Sequence, residues 1–264
     1  MNRLEKTLRD KKDAGSKILV PFLTGCYPDP ETFSRLLLAM EDAGADAVEV
    51  GLPFSDPSAD GPVLQAASMK ALKAGATVRK IMKAVSEARE KGFGLPLVYM
   101  TYYNPVLAFG PSVFGSAAAD SGADGLIVVD LPPEESDEFM PEARCAGLAT
   151  IMLVAPTTPA ARLPLILKNC GGFVYCVSVT GVTGVKKPAA ATMAGMVDLL
   201  RPLTSLPVLA GFGIDGPEAA ARMAESTDGV IVGSALTKAI GDLSGNDAAY
   251  AAGAFLKPLR RALA

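Results

Sequence analysis

Short, nearly continuous apolar runs alternate with longer amphipathic stretches along the whole chain. The apolar runs lie at 18–23, 47–50, 97–101, 126–129, 150–154, 173–177, 208–210 and 230–232. Most carry Val or Ile without polar alternation, the pattern of strands covered on both faces. Between them, helical spacing predicts helices over 30–43, 62–74, 78–91, 113–121, 134–146, 159–169, 189–203 and 217–225. Several open on Pro or an acidic residue, a helix-start signal. Pro141 lies inside the 134–146 stretch, so that helix is kinked or starts later. The opening MNRLEKTLRDKKDAG sets Leu4 and Leu8 at helical spacing, and 248–263 reads as a terminal helix ending in basic residues.

Eight strands alternating with helices predict an α/β fold, a (β/α)8 TIM barrel with an extra N-terminal and a C-terminal helix, as one domain over residues 1–264. A faint repeat agrees. AGADAVEVG (43–51), SGADGLIVVD (121–130) and TDGVIVG (227–233) each read as a helix end, a tight Gly or Asp turn and a buried strand. An open doubly wound sheet would more usually carry a Gly-rich turn after its first strand. Here that segment is PFLTGCYPDP, without G-x-G-x-x-G.

Composition narrows the chemistry. With 25 Lys+Arg against 28 Asp+Glu the net charge is −3, which gives no electrostatic footprint for nucleic acid or an anionic membrane. The chain has no His, so a Ser-His-Asp triad, a Cys-His dyad and His-ligated zinc are excluded. Acid–base work falls to carboxylates, Lys, Tyr or Cys. Cys26, Cys145, Cys170 and Cys176 form no C-x-x-C and read as small buried hydrophobes in a reducing cytosol. The start lacks the apolar core of a signal peptide, and no apolar run approaches the roughly 20 residues that span a bilayer. These features predict a soluble cytoplasmic protein.

In such a barrel, function sits beyond the C-terminal strand ends. Glu49 interrupts the second apolar run. Alternation puts Ala47, Glu49 and Gly51 on one face and Val48 with Val50 on the other. The valines should meet helices, which aims Glu49 into the barrel mouth, where desolvation raises a carboxyl's pKa toward general acid–base duty. The plainer reading is a buried Glu with a structural partner. In the loop that follows, Asp60 reads as the N-cap of the helix opening at Pro62, and Asp56 as an Asx-turn before Pro57. Late in the chain, Gly211-Phe212-Gly213 and Gly233-Ser234 end the seventh and eighth strands, where backbone N–H groups cradle a phosphate. The segment 178–188, Gly-containing and hydroxyl-rich, is a lid or a solvated loop. The aromatics of Met100-Thr101-Tyr102-Tyr103-Asn104-Pro105 meet a substrate, or belong to the core and rim.

Together these segments resemble the tryptophan synthase alpha-subunit family. EVGLPFSDPSADGPVLQ (49–65) is similar to that family's signature. PFLTGCYPD (21–29), MTYYNP (100–105), LVAPTT (153–158), VYCVSVTGVTG (174–184), GFGI (211–214) and VGSA (232–235) stand in the family's order around it. The resemblance implies cleavage of indole-3-glycerol phosphate to indole and glyceraldehyde 3-phosphate. It implies that Glu49 is the acid/base, and that Asp60 holds the indole N–H, in place of the cap reading. It implies that Gly184, Gly213, Gly233 and Ser234 hold the phosphate, that Gly211 also belongs to the substrate site, and that Thr183 lies in a closing loop that helps orient Asp60. Phe22, Met100, Tyr175 and Phe212 fall where the family packs indole and the propyl portion, and Tyr102 also belongs to the substrate site.

The resemblance further implies an α2β2 assembly with a beta subunit that carries pyridoxal phosphate and receives the indole. Pro53, Asp56, Asn104 and Pro105 match the loops facing it. No cofactor and no metal is expected in this chain. Leu52 and Ser58 depart from the signature without touching its carboxylates, and the 185–188 stretch is one in which members vary. Alternatives are a standalone lyase releasing free indole, another phosphate-handling barrel of the same pathway, and a binding subunit that only activates its partner. The presence of both Glu49 and Asp60 argues against the last.

Overall fold

The structure is a computed structural model that describes residues 1–177, 190–211 and 213–264. Nine parallel strands form one sheet: β1 (Ile18–Thr24), β2 (Val48–Gly51), β3 (Leu97–Thr101), β4 (Gly125–Val128), β5 (Ala149–Thr150), β6 (Met152–Val154), β7 (Val174–Cys176), β8 (Val208–Ala210) and β9 (Gly229–Val232). Their order is β5-β4-β3-β2-β1-β9-β8-β7-β6. The two ends of that order, β5 and β6, are consecutive in the chain, separated by Ile151 alone. They are two halves of the single predicted fifth strand: the first pairs with β4 and the second with β7. Ile151 N–H still donates to the Leu126 carbonyl at 2.9 Å. The ring thus closes within one strand that changes partners, giving the predicted barrel.

The helices are α1 (Arg3–Asp13), α2 (Pro30–Asp42), α3 (Pro62–Lys73), α4 (Val78–Glu90), α5 (Tyr103–Phe109), α6 (Pro111–Asp120), α7 (Met140–Cys145), α8 (Leu163–Lys168), α9 (Ala190–Leu200), α10 (Pro217–Ala224), α11 (Ser234–Ile240) and α12 (Gly245–Ala262). Helix α7 starts late, with Pro141 in its first turn where a missing N–H costs nothing. Helix α5 was not predicted. Its Tyr103 N–H is accepted by the Asp130 carboxylate at 2.7 Å, a cap from the next strand's loop that no local pattern reveals. Among the described residues no helix is long and apolar enough to cross a membrane.

Side-chain alternation divides the core. Ile18, Val20, Ala47, Val98, Ile127, Ile151, Phe173, Leu209 and Ile231 fill the barrel interior, while Leu19, Leu23, Val48, Val50, Leu97 and Leu126 face the helices. Leu4 and Leu8 of α1 join the interior set and are fully buried. Leu4 lies against Gly125 and Gly172, near the starts of β4 and β7, so α1 plugs the N-terminal end of the barrel. The Asn2–Glu5 capping box starts that helix.

The sequence repeat has a common structural role. Asp46, Asp124 and Asp228 each precede a strand, and each accepts the backbone N–H of an adjacent strand: Leu19 at 2.9 Å, Leu97 at 3.0 Å and Val208 at 2.8 Å. Each also meets an arginine: Arg260 of α12, Arg89 of α4 and Arg201 just past the end of α9 respectively. The motif therefore satisfies a strand-start donor and ties a helix to the barrel floor at three points.

Candidate active site

At the opposite end of the barrel, interior burial loosens. Val98 and Ile127 are fully buried, whereas Met100, Val129, Leu153 and Val177, farther along the chain, are half-buried. An apolar cup opens above the packed interior, and Glu49 lies at its base. Its register partners are Phe22 on β1 and Val98 on β3. Glu49 is fully buried, and among the described residues neither carboxyl oxygen has a hydrogen-bond partner. The predicted inward aim is therefore observed, and the structural-partner reading is not. Desolvation, reinforced by the nearby Asp60 charge, raises the Glu49 carboxyl to about 8, so the group is largely neutral at pH 7.

Asp60 comes to the same place from the loop between β2 and α3. The helix cap is Gly61 and makes no side-chain capping bond, so Asp60 is not the N-cap that spacing suggests. Burial raises the Asp60 carboxyl to about 6 against the opposing effect of the Tyr102 hydroxyl. Nor does Asp56 form an Asx-turn: Ser58 N–H bonds the Asp56 backbone carbonyl, and the Asp56 carboxylate accepts from Ser55. Tyr102, after β3, is buried. Its hydroxyl accepts the Ala59 N–H at 3.0 Å and its ring stacks obliquely 5.4 Å from Phe54. Tyr102 thus anchors the acidic loop at both ends.

Tyr175 completes the polar side. It is buried on β7, and desolvation, reinforced by the charges of Glu49 and Asp60, pushes its phenol well above the ordinary range. The hydroxyl makes a long 3.5 Å contact to the Gly211 carbonyl. A Cβ at Gly211 would fall 2.2 Å from that ring, so no larger residue fits there. Similarly, the Phe22 ring occupies the space a Gly51 side chain would take, with 2.5 Å to the would-be Cβ. On its other side Phe22 lies against Gly233. Ser234 opens α11, whose first turn has no side-chain cap. Gly213 has φ +74°, and among the described residues no atom lies within 4 Å of where a side chain would start.

The fold thus gathers Glu49, Asp60, Phe22, Tyr102, Tyr175, Gly211 and Gly233 around one opening, with Met100 on its wall. Thr183, Gly184 and Phe212 lie outside the described residues. Asp56 and Asn104 are exposed, and Pro53 and Pro105 half-buried, on segments that leave β2 and β3 at this end. Sequence reasoning missed Val129, Leu153 and Val177 on the cup wall and the buried hydroxyl of Thr24. Strand alternation, which aimed Glu49 inward, was the signal available for all four.

The family model for the tryptophan synthase alpha chain matches residues 8–258. The tryptophan synthase alpha chain of Gluconacetobacter diazotrophicus is 47% identical over 242 residues, 92% of this chain and 88% of that protein. That of Laribacter hongkongensis is 45% identical over 263 residues, 100% of this chain and 99% of that protein. A crystal structure of tryptophan synthase subunit alpha from Legionella pneumophila superposes with a TM-score of 0.91 at 37% identity, covering 100% of this chain and 98% of that one. By its sequence and its fold, this chain belongs to the tryptophan synthase alpha chain family, the enzymes that cleave indole-3-glycerol phosphate.

Proposed function

We propose that Glu49 and Asp60 carry out this cleavage as a retro-aldol reaction. The observation that carries the reading is a fully buried, unpartnered carboxyl in the barrel mouth, raised to about 8, beside a second acid raised to about 6. Protonated Glu49 donates its proton to C3 of the indole ring, while the Asp60 carboxylate holds the ring N–H and stabilises the positive charge that develops. The Glu49 carboxylate then takes the proton of the adjacent glycerol hydroxyl. That oxygen becomes the aldehyde carbonyl, the bond from C3 to the glycerol carbon breaks, and its electrons return to the ring to give indole. Glu49 ends protonated, as it began. Phe22, Met100 and Tyr175 supply apolar surface for the indole. Backbone N–H groups around Gly213, Gly233 and Ser234 receive the phosphate, which needs no cationic side chain.

The same reading includes a beta subunit carrying pyridoxal phosphate, in an α2β2 assembly that receives indole across the face bearing Pro53, Asp56, Asn104 and Pro105. Support for it is the exposure of these segments beside the mouth. A cytoplasmic setting fits the four free thiols, of which Cys26 and Cys176 are buried as expected, whereas Cys170 is half-buried and Cys145 exposed.

The direct test mixes the purified chain with indole-3-glycerol phosphate and follows indole, with and without a beta subunit. Indole release by the chain, faster with the partner, is the expected result. A folded chain that releases none in either mixture overturns the reading. The pH dependence follows from the two acids. Activity requires Asp60 ionised and Glu49 protonated, so kcat/KM is expected to rise through about pH 6 and fall above about pH 8. The two groups interact, so the limbs belong to the pair. A flat profile between about pH 5 and about pH 9 would contradict these assignments.

A further inference from the structure

Among the described residues, the buried side-chain polar atoms without a hydrogen-bond partner are the two Glu49 oxygens and the hydroxyls of Thr24 and Thr237. Thr237 lies on α11, outside the barrel. Thr24 does not. It is the last residue of β1, only 1% exposed. Along that strand Ile18 and Val20 belong to the barrel interior and Leu19 and Leu23 to the helix-facing core, so alternation directs Phe22 and Thr24 inward. Phe22 is level with Glu49 and Thr24 with Gly51. Thr24 therefore stands one inward-facing position nearer the mouth than Glu49, on the adjacent strand. Strand spacing puts their Cα atoms roughly 8 Å apart, too far for direct backbone-level contact and near enough for one small polar group to meet both side chains.

An unpartnered buried hydroxyl lowers stability, and such groups in native proteins call for a specific account. Two kinds of unsatisfied group, a carboxyl and a hydroxyl, occur here on the inward face of neighbouring strands at the barrel mouth. A ligand that carries hydroxyls of its own would satisfy both. We propose that Thr24 is a substrate-positioning residue whose hydroxyl hydrogen-bonds the glycerol portion of indole-3-glycerol phosphate while Glu49 handles the reacting proton. This rests on the reaction assigned above. The glycerol is the part of the substrate that must lie beside Glu49, whereas the indole needs apolar surface and the phosphate needs backbone N–H groups.

The test compares Thr24→Val, which keeps the branched shape and removes the hydroxyl, with Thr24→Ser, which keeps the hydroxyl. Each full-length variant is assayed for indole release. Each is also titrated with indole-3-propanol phosphate, the analogue lacking the glycerol hydroxyls, and melted without ligand. Thr24→Val is expected to lose roughly tenfold in kcat/KM, the scale of one hydrogen bond. It should bind the analogue as the parent does and melt at the same or a higher temperature, because an unsatisfied group has gone. Thr24→Ser should keep most of the activity. Parental kcat/KM in Thr24→Val, or an equal loss of affinity for the analogue, overturns the proposal. An inactive parent chain would overturn the reaction itself and this proposal with it. An active parent with an unaffected Thr24→Val overturns the Thr24 role alone.

Discussion

Replacing Glu49 with Gln is expected to remove indole release, by roughly a thousandfold or more, and to make the protein more stable. Loss of activity follows because the amide cannot donate and retake a proton. The gain in stability follows from burial. The Glu49 carboxyl is raised from 4.5 to about 8, so between those values the unfolded chain ionises it while the folded protein keeps it protonated. Folding then binds a proton. Below about pH 4.5 both states are protonated and the difference vanishes; as pH rises toward 8 the acid weighs increasingly against the native state, and above that the penalty is constant. The Gln variant has no such penalty. Its advantage should be absent near pH 4.5 and reach a few kcal/mol by about pH 8, because each tenfold difference in proton affinity between the two states is worth about 1.4 kcal/mol. Urea unfolding of both proteins across that range measures it. A variant that is inactive but gains nothing at about pH 8 would mean that Glu49 has a partner in solution which the structure lacks.

The second large effect is at the other end of the barrel. Asp46→Ala is expected to lower stability by about 3 kcal/mol, and with it Tm by about 6–12 °C. Asp46 is 4% exposed and accepts from Leu19 N–H at 2.9 Å, Arg260 at 2.9 Å and Lys11 at 2.7 Å. Its removal strands a buried strand-start donor and frees two cations, one from α12 and one from α1. Because Glu49 and Asp60 lie at the far end, the folded fraction should keep kcat/KM within about twofold. A melting temperature unchanged from the parent would show that water replaces the carboxylate at no cost.

These two sites show how differently sequence speaks about stability and chemistry. The strands follow from apolar runs because a parallel barrel covers both faces of each strand, so hydrophobicity alone marks them. Glu49 stands out for the same reason, since one charged residue in such a run has only the barrel mouth in which to face. Asp60 lies in a loop, where spacing could propose only a cap. Its partners in the site, Tyr102 and Tyr175, come from the segment after β3 and from β7. The three Asp residues of the repeat were visible as a recurring turn, but the arginines they meet lie 214, 35 and 27 residues away.

What the sequence by itself determined is the alternation of strand and helix, the inward direction of Glu49 and the family, while Pro141 left a kink or a late start open for α7. Each depends on local periodicity, backbone restrictions or a run of residues that survive as a block. Only the tertiary structure decided that the fifth strand closes the ring by changing partners, that α5 is capped from Asp130, that Gly61 rather than Asp60 caps α3, and that Thr24 is left without a partner. Those outcomes depend on which groups meet across distant parts of the chain. A hydrogen bond made or left unmade in a buried space is set by that meeting, and no local pattern carries it.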